Sequence, residues 1–137
     1  MRIYQKELKF LTKGYYDILD ITEEIKKEVE KSKINNGLIF LFLEHNTAAL
    51  LIQEYDETIF EDMKNILEKV FPLNGKYKHS YEGNINATAH LKNLILSQNL
   101  SIPIKNGEIV LGTWQRIILV ELFEPRERKV YITIIGE

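Results

Sequence analysis

The sequence predicts an α+β fold in one domain spanning residues 1–137, a mostly antiparallel sheet or sandwich with about three helices. Three observations carry this reading. Apolar residues alternate near both ends of the chain, two amphipathic stripes and an alanine-rich segment interrupt them, and Asn106-Gly107 separates two short β-type runs. At 137 residues, 45% of them hydrophobic, the chain is long enough to bury a core of its own.

Ile3 to Thr12 reads as a half-exposed strand, because Tyr4, Leu8 and Phe10 share one parity, and Gly14 interrupts it. From Asp20 the period becomes helical. Asp20 and Glu23 have capping-box spacing, Ile21, Ile25 and Val29 form one apolar stripe, and Asn35-Asn36-Gly37 ends the helix. Leu38 to Leu43 is apolar on both parities and predicts a strand covered on both faces. Glu44 to Thr47 then turns the chain, leaving His45 at a sheet edge before the strand Ala49 to Ile52.

A second helix follows from Ile59, Met63, Ile66, Leu67 and Val70, with Thr58 and Glu61 as a capping box and Pro72 as its stop. Leu73 to Ile85 is the longest irregular stretch, a length often associated with function. Asn86 is placed to cap a third helix running from Ala87 to about Ser97. Strands Ile102–Ile104 and Ile109–Leu111 flank Asn106-Gly107, and strands Ile117–Phe123 and Lys129–Ile135 flank Glu124 to Arg128.

Composition narrows the function classes. With 18 basic and 20 acidic side chains, interleaved rather than grouped, no electrostatic stripe draws the protein to nucleic acid. The longest apolar run is too short to span a bilayer and no signal peptide is recognisable, so neither membrane contact nor export is expected and the protein is assigned to the cytoplasm. Absence of cysteine restricts any metal to His, Asp, Glu, Asn or Gln ligands.

All three histidines stand in runs dense in polar and small residues: His45-Asn46-Thr47-Ala48-Ala49, Tyr77-Lys78-His79-Ser80-Tyr81-Glu82 and Asn86-Ala87-Thr88-Ala89-His90. Three imidazoles from separate segments suit one divalent metal, or a division of proton transfer and phosphate contact. Three histidines fit zinc with one open position, whereas Glu82 and substrate phosphates fit magnesium, and the sequence does not choose. Glu82 is also a candidate for orienting an imidazole. Trp114 reads equally as a core side chain or a stacking surface, and Arg126 and Arg128 as a solvated hairpin tip or as two forks for one phosphate. Gln115, placed before an apolar strand, needs a polar partner, and Glu121 inside that strand needs a cation beside it.

The set His45-x-Thr47-Ala48, Tyr77-x-His79, Asn86-Ala87-x-Ala89-His90 and Gly112-Thr113-Trp114-Gln115, in that order, resembles the YjbQ family over nearly the whole chain. Asn46 and Ala49 stand where the family usually has Thr and Gly, and Glu124 where it has Gly before Pro125-Arg126. The resemblance implies a small α+β homotrimer with polar motifs near subunit boundaries, and a secondary thiamine-phosphate synthase activity. On that expectation the chain is a transferase joining a pyrimidine-methyl diphosphate to a thiazole phosphate. His45, His79, His90, Glu82 and Gln115 are then the catalytic candidates, with the three histidines as metal ligands. Thr47, Asn86, Lys92, Thr113, Trp114, Arg126 and Arg128 would bind a phosphorylated substrate, with Zn or Mg as the ion and no organic cofactor. The competing expectation is a trimeric module that binds a metal or phosphometabolite without turning it over.

Overall fold

A computed structural model describes residues 1–137. The elements run β1 (Arg2–Leu11), β2 (Ile18–Asp20), α1 (Thr22–Ser32), β3 (Gly37–Leu43), β4 (Ala48–Gln53), α2 (Glu57–Val70), α3 (Asn84–Ile95), β5 (Asn99–Lys105), β6 (Glu108–Ile109), β7 (Arg116–Glu121) and β8 (Glu127–Gly136). Every strand pairing is antiparallel. Five strands form one sheet in the order β1-β8-β3-β5-β6 and three form a second in the order β2-β7-β4. The expected α+β architecture is therefore the observed one, with three helices.

The smaller sheet is the middle layer. Ala48, Leu50, Ile117 and Leu119 point from it into a core shared with Ile39, Leu41, Ile132 and Ile134 of the larger sheet and Ile25 and Val29 of α1. Ala49, Ile118 and Val120 point the other way, against Phe60 of α2 and Ala89 of α3. A strand buried on both faces must be apolar at consecutive positions, which accounts for Ile117 to Val120.

Leu38 to Leu43 departs from the expectation of burial on both faces. Ile39, Leu41 and Leu43 are buried, but Leu38, Phe40 and Phe42 are exposed, Phe42 by 52%. The pairing of β3 with β8 sets Leu38 beside Ile135, Phe40 beside Thr133 and Phe42 beside Tyr131 on this outer face. Ile3 continues the first row on β1 and Pro103 on β5. No helix of the chain covers these side chains, so the apolar outer parity of β3 has no partner within it.

The helix starts also differ from the spacing-based reading. Asp20 accepts the Thr22 amide (3.0 Å), but the capping position is Ile21 and Glu23 returns no bond. Asp56, not Thr58, caps α2, accepting the amides of Thr58 (2.8 Å) and Ile59 (3.3 Å). The third helix begins three residues early, at Asn84 after Gly83 (φ +91°), so Asn86 lies inside it and is buried. These shifts share a cause: several Asx and Thr residues compete within one turn, and tertiary packing selects among them. The run Ile18–Asp20 is a short strand that sequence periodicity did not reveal. Segments Ile117–Phe123 and Lys129–Ile135 do not form a hairpin, since β7 and β8 belong to different sheets. Asn106 (φ 53°) and Gly107 (φ 79°) do make the expected tight turn between β5 and β6.

Where the two sheets meet at their ends, Glu121 and Arg128 are fully buried and ion-paired. Arg128 Nε donates to Glu121 Oε1 (2.7 Å), while Nη2 donates to Glu121, to the Thr47 carbonyl (2.9 Å) and to Thr47 Oγ1 (2.8 Å). Thr12 Oγ1 donates to the same carboxylate (2.6 Å), as do the amides of Leu122 (3.1 Å) and Phe123 (3.0 Å). Burial alone would raise the Glu121 pKa, but the donors from Arg128, Thr12 and Phe123 outweigh it and hold the carboxyl below its ordinary value. The unfolded chain therefore takes up this proton first. The pair's contribution is complete above the unfolded glutamate value of about 4.3 and is lost as pH falls through the lower native value. Arg128→Met, which strands the buried carboxylate, is expected to destabilise the fold by about 3–5 kcal/mol at neutral pH. In acid the deficit should shrink as Glu121 becomes protonated. Urea denaturation at a series of pH values checks both, and a pH-independent deficit would contradict the account.

Candidate functional site

The structure separates the predicted site residues into three groups. His79 and His90 come together, His45 stands with the buried arginine, and the Gly112–Gln115 segment lines a pocket of its own.

The loop between α2 and α3 carries His79 to the first turns of α3. The rings of His79 and His90 meet edge to face with centroids 4.5 Å apart, and Tyr81 packs on the other side of His79 at 5.0 Å. Tyr77 OH donates to the Pro72 carbonyl (2.6 Å), and Asn84 Nδ2 donates to the carbonyls of Leu73 (2.8 Å) and Gly75 (2.9 Å). These bonds tie the irregular segment back to both helices. His90 is half-buried, His79 and Glu82 are exposed. Burial lowers the His90 pKa and the neighbouring His79 lowers it further, while Glu82 acts in the opposite sense. The contact thus disfavours a proton on His90. Asn86, one turn before His90, is buried with its Oδ1 lacking a hydrogen-bond partner.

His45 is built into the frame. The Lys129 amide donates to its Nε2 (2.9 Å), so that nitrogen is unprotonated and the neutral ring carries its hydrogen on Nδ1. Burial is the main cause of its lowered pKa, with Arg128, Arg126 and Lys129 adding to it against Glu121. Asn93, unnoticed in the sequence, links this region to α3, donating to the Ala48 carbonyl (2.8 Å) and the His45 carbonyl (3.4 Å). Its position three residues after His90, on nearly the same helical face, is the signal that would have found it.

The expected anion contacts are already engaged. Arg128 is enclosed by Glu121 and Thr47, although its Nη1 has no partner. Thr47 gives its hydroxyl and carbonyl to that guanidinium rather than to a phosphate. Arg126 pairs with Glu124 and lies over the Phe123 ring at 5.2 Å. Lys92 is 1% exposed, 3.5 Å from Glu68 and held over the Tyr16 ring at 4.7 Å. Trp114 is 70% exposed, so it is not the core side chain one reading made it. Gln115 Oε1 accepts the Gly112 amide (2.7 Å), closing the loop on itself, and Thr113 and Gln115 line a pocket of about 600 Å³ that contains no histidine. No group of three or more His, Asp or Glu side chains is arranged to hold a metal ion, which overturns the three-histidine metal site. The reason is spatial: His45 is fixed on the Lys129 backbone while His79 and His90 pair without it.

Fold and motif geometry together define a small two-sheet α+β protein whose polar motifs cluster at loop ends and helix starts. Residues 6–137 match the family model for UPF0047 protein YjbQ-like, and the chain belongs to that family. It is 34% identical over 137 residues to a UPF0047 protein of Methanothermobacter thermautotrophicus, covering 100% of this chain and 95% of that one. It is also 34% identical over 138 residues to UPF0047 protein YjbQ of Escherichia coli O157:H7, covering 98% and 99%. A crystal structure of a YbjQ-like protein of unknown function from Sulfolobus solfataricus P2 superposes with a TM-score of 0.93 at 34% identity, covering 99% of each chain. A hypothetical protein from Aeropyrum pernix K1 gives 0.90 at 32%, covering 98% and 99%.

These findings correct the function expected from the resemblance. The relatives are named only as UPF0047 proteins, and the Sulfolobus structure is described as of unknown function. Neither the thiamine-phosphate synthase assignment nor the metal- or phosphometabolite-binding alternative is supported by them. The physical reason is that Thr47, Lys92 and Arg128 are paired inward and Arg126, at the surface, is paired with Glu124, so the presumed phosphate donors already have protein partners. No helix is long and apolar enough to cross a membrane.

The imidazole pair makes a signed prediction for NMR titration of the ring protons. In His79→Gln the His90 pKa should rise, remaining below its usual value because burial persists, and in Glu82→Gln it should fall further. A His90 titration indifferent to both substitutions would show that the rings do not interact.

Proposed function

We propose that the chain is an enzyme working by general acid–base catalysis at His79 and His90 on a small polar substrate. The observation that supports this is the contact between two imidazoles, one half-buried with a lowered pKa and the other exposed, beside the carboxylate of Glu82. Two imidazoles in contact place a proton donor and a proton acceptor at adjacent positions. Tyr81, 83% exposed and against the outer edge of His79, offers a ring to a substrate arriving from solvent. An assay panel of activated esters, amides and enolisable keto acids tests the reading. Turnover of a panel member should show a bell-shaped pH profile, and His79→Gln and His90→Gln should each lower kcat by about 10²–10⁴-fold. An activity that survives both substitutions unchanged would remove the pair from the mechanism.

The working form we propose is a homotrimer. The family resemblance implies it, and the uncovered outer face bearing Leu38, Phe40, Phe42, Tyr131 and Ile135 supplies an apolar surface for it. Phe40→Glu places a charge at the centre of that face. Analytical ultracentrifugation should find three chains per particle in the parent protein and single chains in the variant; a monomeric parent would refute the assembly.

A further inference from the structure

The Gly112–Gln115 motif takes no part in the imidazole chemistry, yet it walls a pocket of its own. Three parts of the fold build this pocket: α1, the β5–β6 turn and the loop ahead of β7. Its volume, about 600 Å³, lies in the range of small-molecule sites. Val29, Ile109 and Leu111 provide apolar lining, and Val29 and Ile109 are buried members of the main core. The polar lining is unequal in charge. Lys26 is 3.7 Å from Glu23, and Arg116 reaches Asp20 at 2.8 Å and Glu23 at 3.7 Å, so both cations are matched by carboxylates on α1 and just before it. Glu30 and Glu108 also line the pocket and form no ion pair, although Lys105 is the strand neighbour of Glu108.

The loop that carries Trp114 is stiffened by two bonds between Gln115 and Gly112. The Gln115 amide donates to the Gly112 carbonyl (3.1 Å), and the Gly112 amide donates to Gln115 Oε1 (2.7 Å). Between the lining residues Thr113 and Gln115, this loop holds an indole with 70% of its surface open. Apolar lining and two unmatched carboxylates are the elements that recognise an alkylammonium group. The alkyl chain packs on the aliphatic side chains and the charge meets the carboxylates.

We propose that this pocket is a binding site for a small alkylammonium ligand, such as a short diamine, separate from the His79–His90 pair. Trp114 is the only tryptophan and stands between the lining residues Thr113 and Gln115, so its fluorescence reports changes in the loop that walls the pocket. The probe is 1,4-diaminobutane at constant ionic strength, with butane-1,4-diol as the uncharged control. Saturable change in Trp114 emission with the diamine and none with the diol is expected. The double substitution Glu30→Gln with Glu108→Gln should weaken apparent affinity about five- to tenfold, while His90→Gln should leave it unchanged. Amide NMR shifts under the same titration should centre on Thr113, Gln115 and Glu108. No saturable response, equal response to the diol, an affinity indifferent to the paired glutamate substitutions, or shifts centred elsewhere would each overturn the assignment.

Discussion

The buried ion pair between Glu121 and Arg128 is the constraint on which the arrangement of the sites depends. Glu121 ends β7 in the middle sheet and Arg128 begins β8 in the outer one, so their bond ties the two layers at one end. Thr12 from the end of β1 and Thr47 from the β3–β4 turn complete the same cluster. Taking two charges out of water is costly, and the donors that converge on the Glu121 carboxylate are what make it tolerable. One consequence is local. With Arg128 fixed, the next amide, that of Lys129, is presented to His45, and the imidazole becomes part of the frame. A second consequence reaches α3, because the turn held by Arg128 offers its carbonyls to Asn93, on the helix that carries His90.

Sequence periodicity revealed most of the fold because most elements have one dry face and one wet face. The C-terminal run, Val130 to Ile134, alternates and is observed as an alternating strand. Patterning was less informative where the cover lies outside the local element. Ile117 to Val120 and Leu38 to Leu43 look alike as sequence, yet the first is sandwiched between two cores and the second shows one parity to solvent. Composition cannot distinguish a face covered by the chain's own helices from one that the chain leaves uncovered. Short-range chemistry had the converse limit: Asp56 and Thr58 are both good caps, and only the packing of α2 against the middle sheet decided between them.

The site was legible as a set of motifs but not as a set of contacts. His79 and His90 are eleven residues apart and their meeting follows from a loop folding back on the start of its own helix, an encounter close to local. Arg128 meets Thr47 across 81 positions, and no spacing rule anticipates that. The sequence did show that Glu121 needed a cation. It did not show that Arg128 would be that cation, because an arginine in a charged turn suits a phosphate equally well. Each basic side chain assigned to an anion proved to have a protein carboxylate nearby: Glu68 for Lys92, Glu124 for Arg126 and Glu121 for Arg128.

That pattern bears on how the remaining polar groups should be valued. A near-neutral chain that matches most of its buried charges internally leaves few groups free to meet a ligand, and those few carry the information about function. The imidazole pair is free because each ring's neighbour is another ring rather than a backbone donor. Glu30 and Glu108 are free because the cations nearest them in the pocket already have partners on or near α1. The two sets are served by different supports. Loop 71–83 and α3 hold one, while α1, the β5–β6 turn and the stiffened Gly112–Gln115 loop hold the other. Because no residue is common to both, the chemistry proposed at the imidazoles and the recognition proposed at the carboxylates rest on separate parts of the chain.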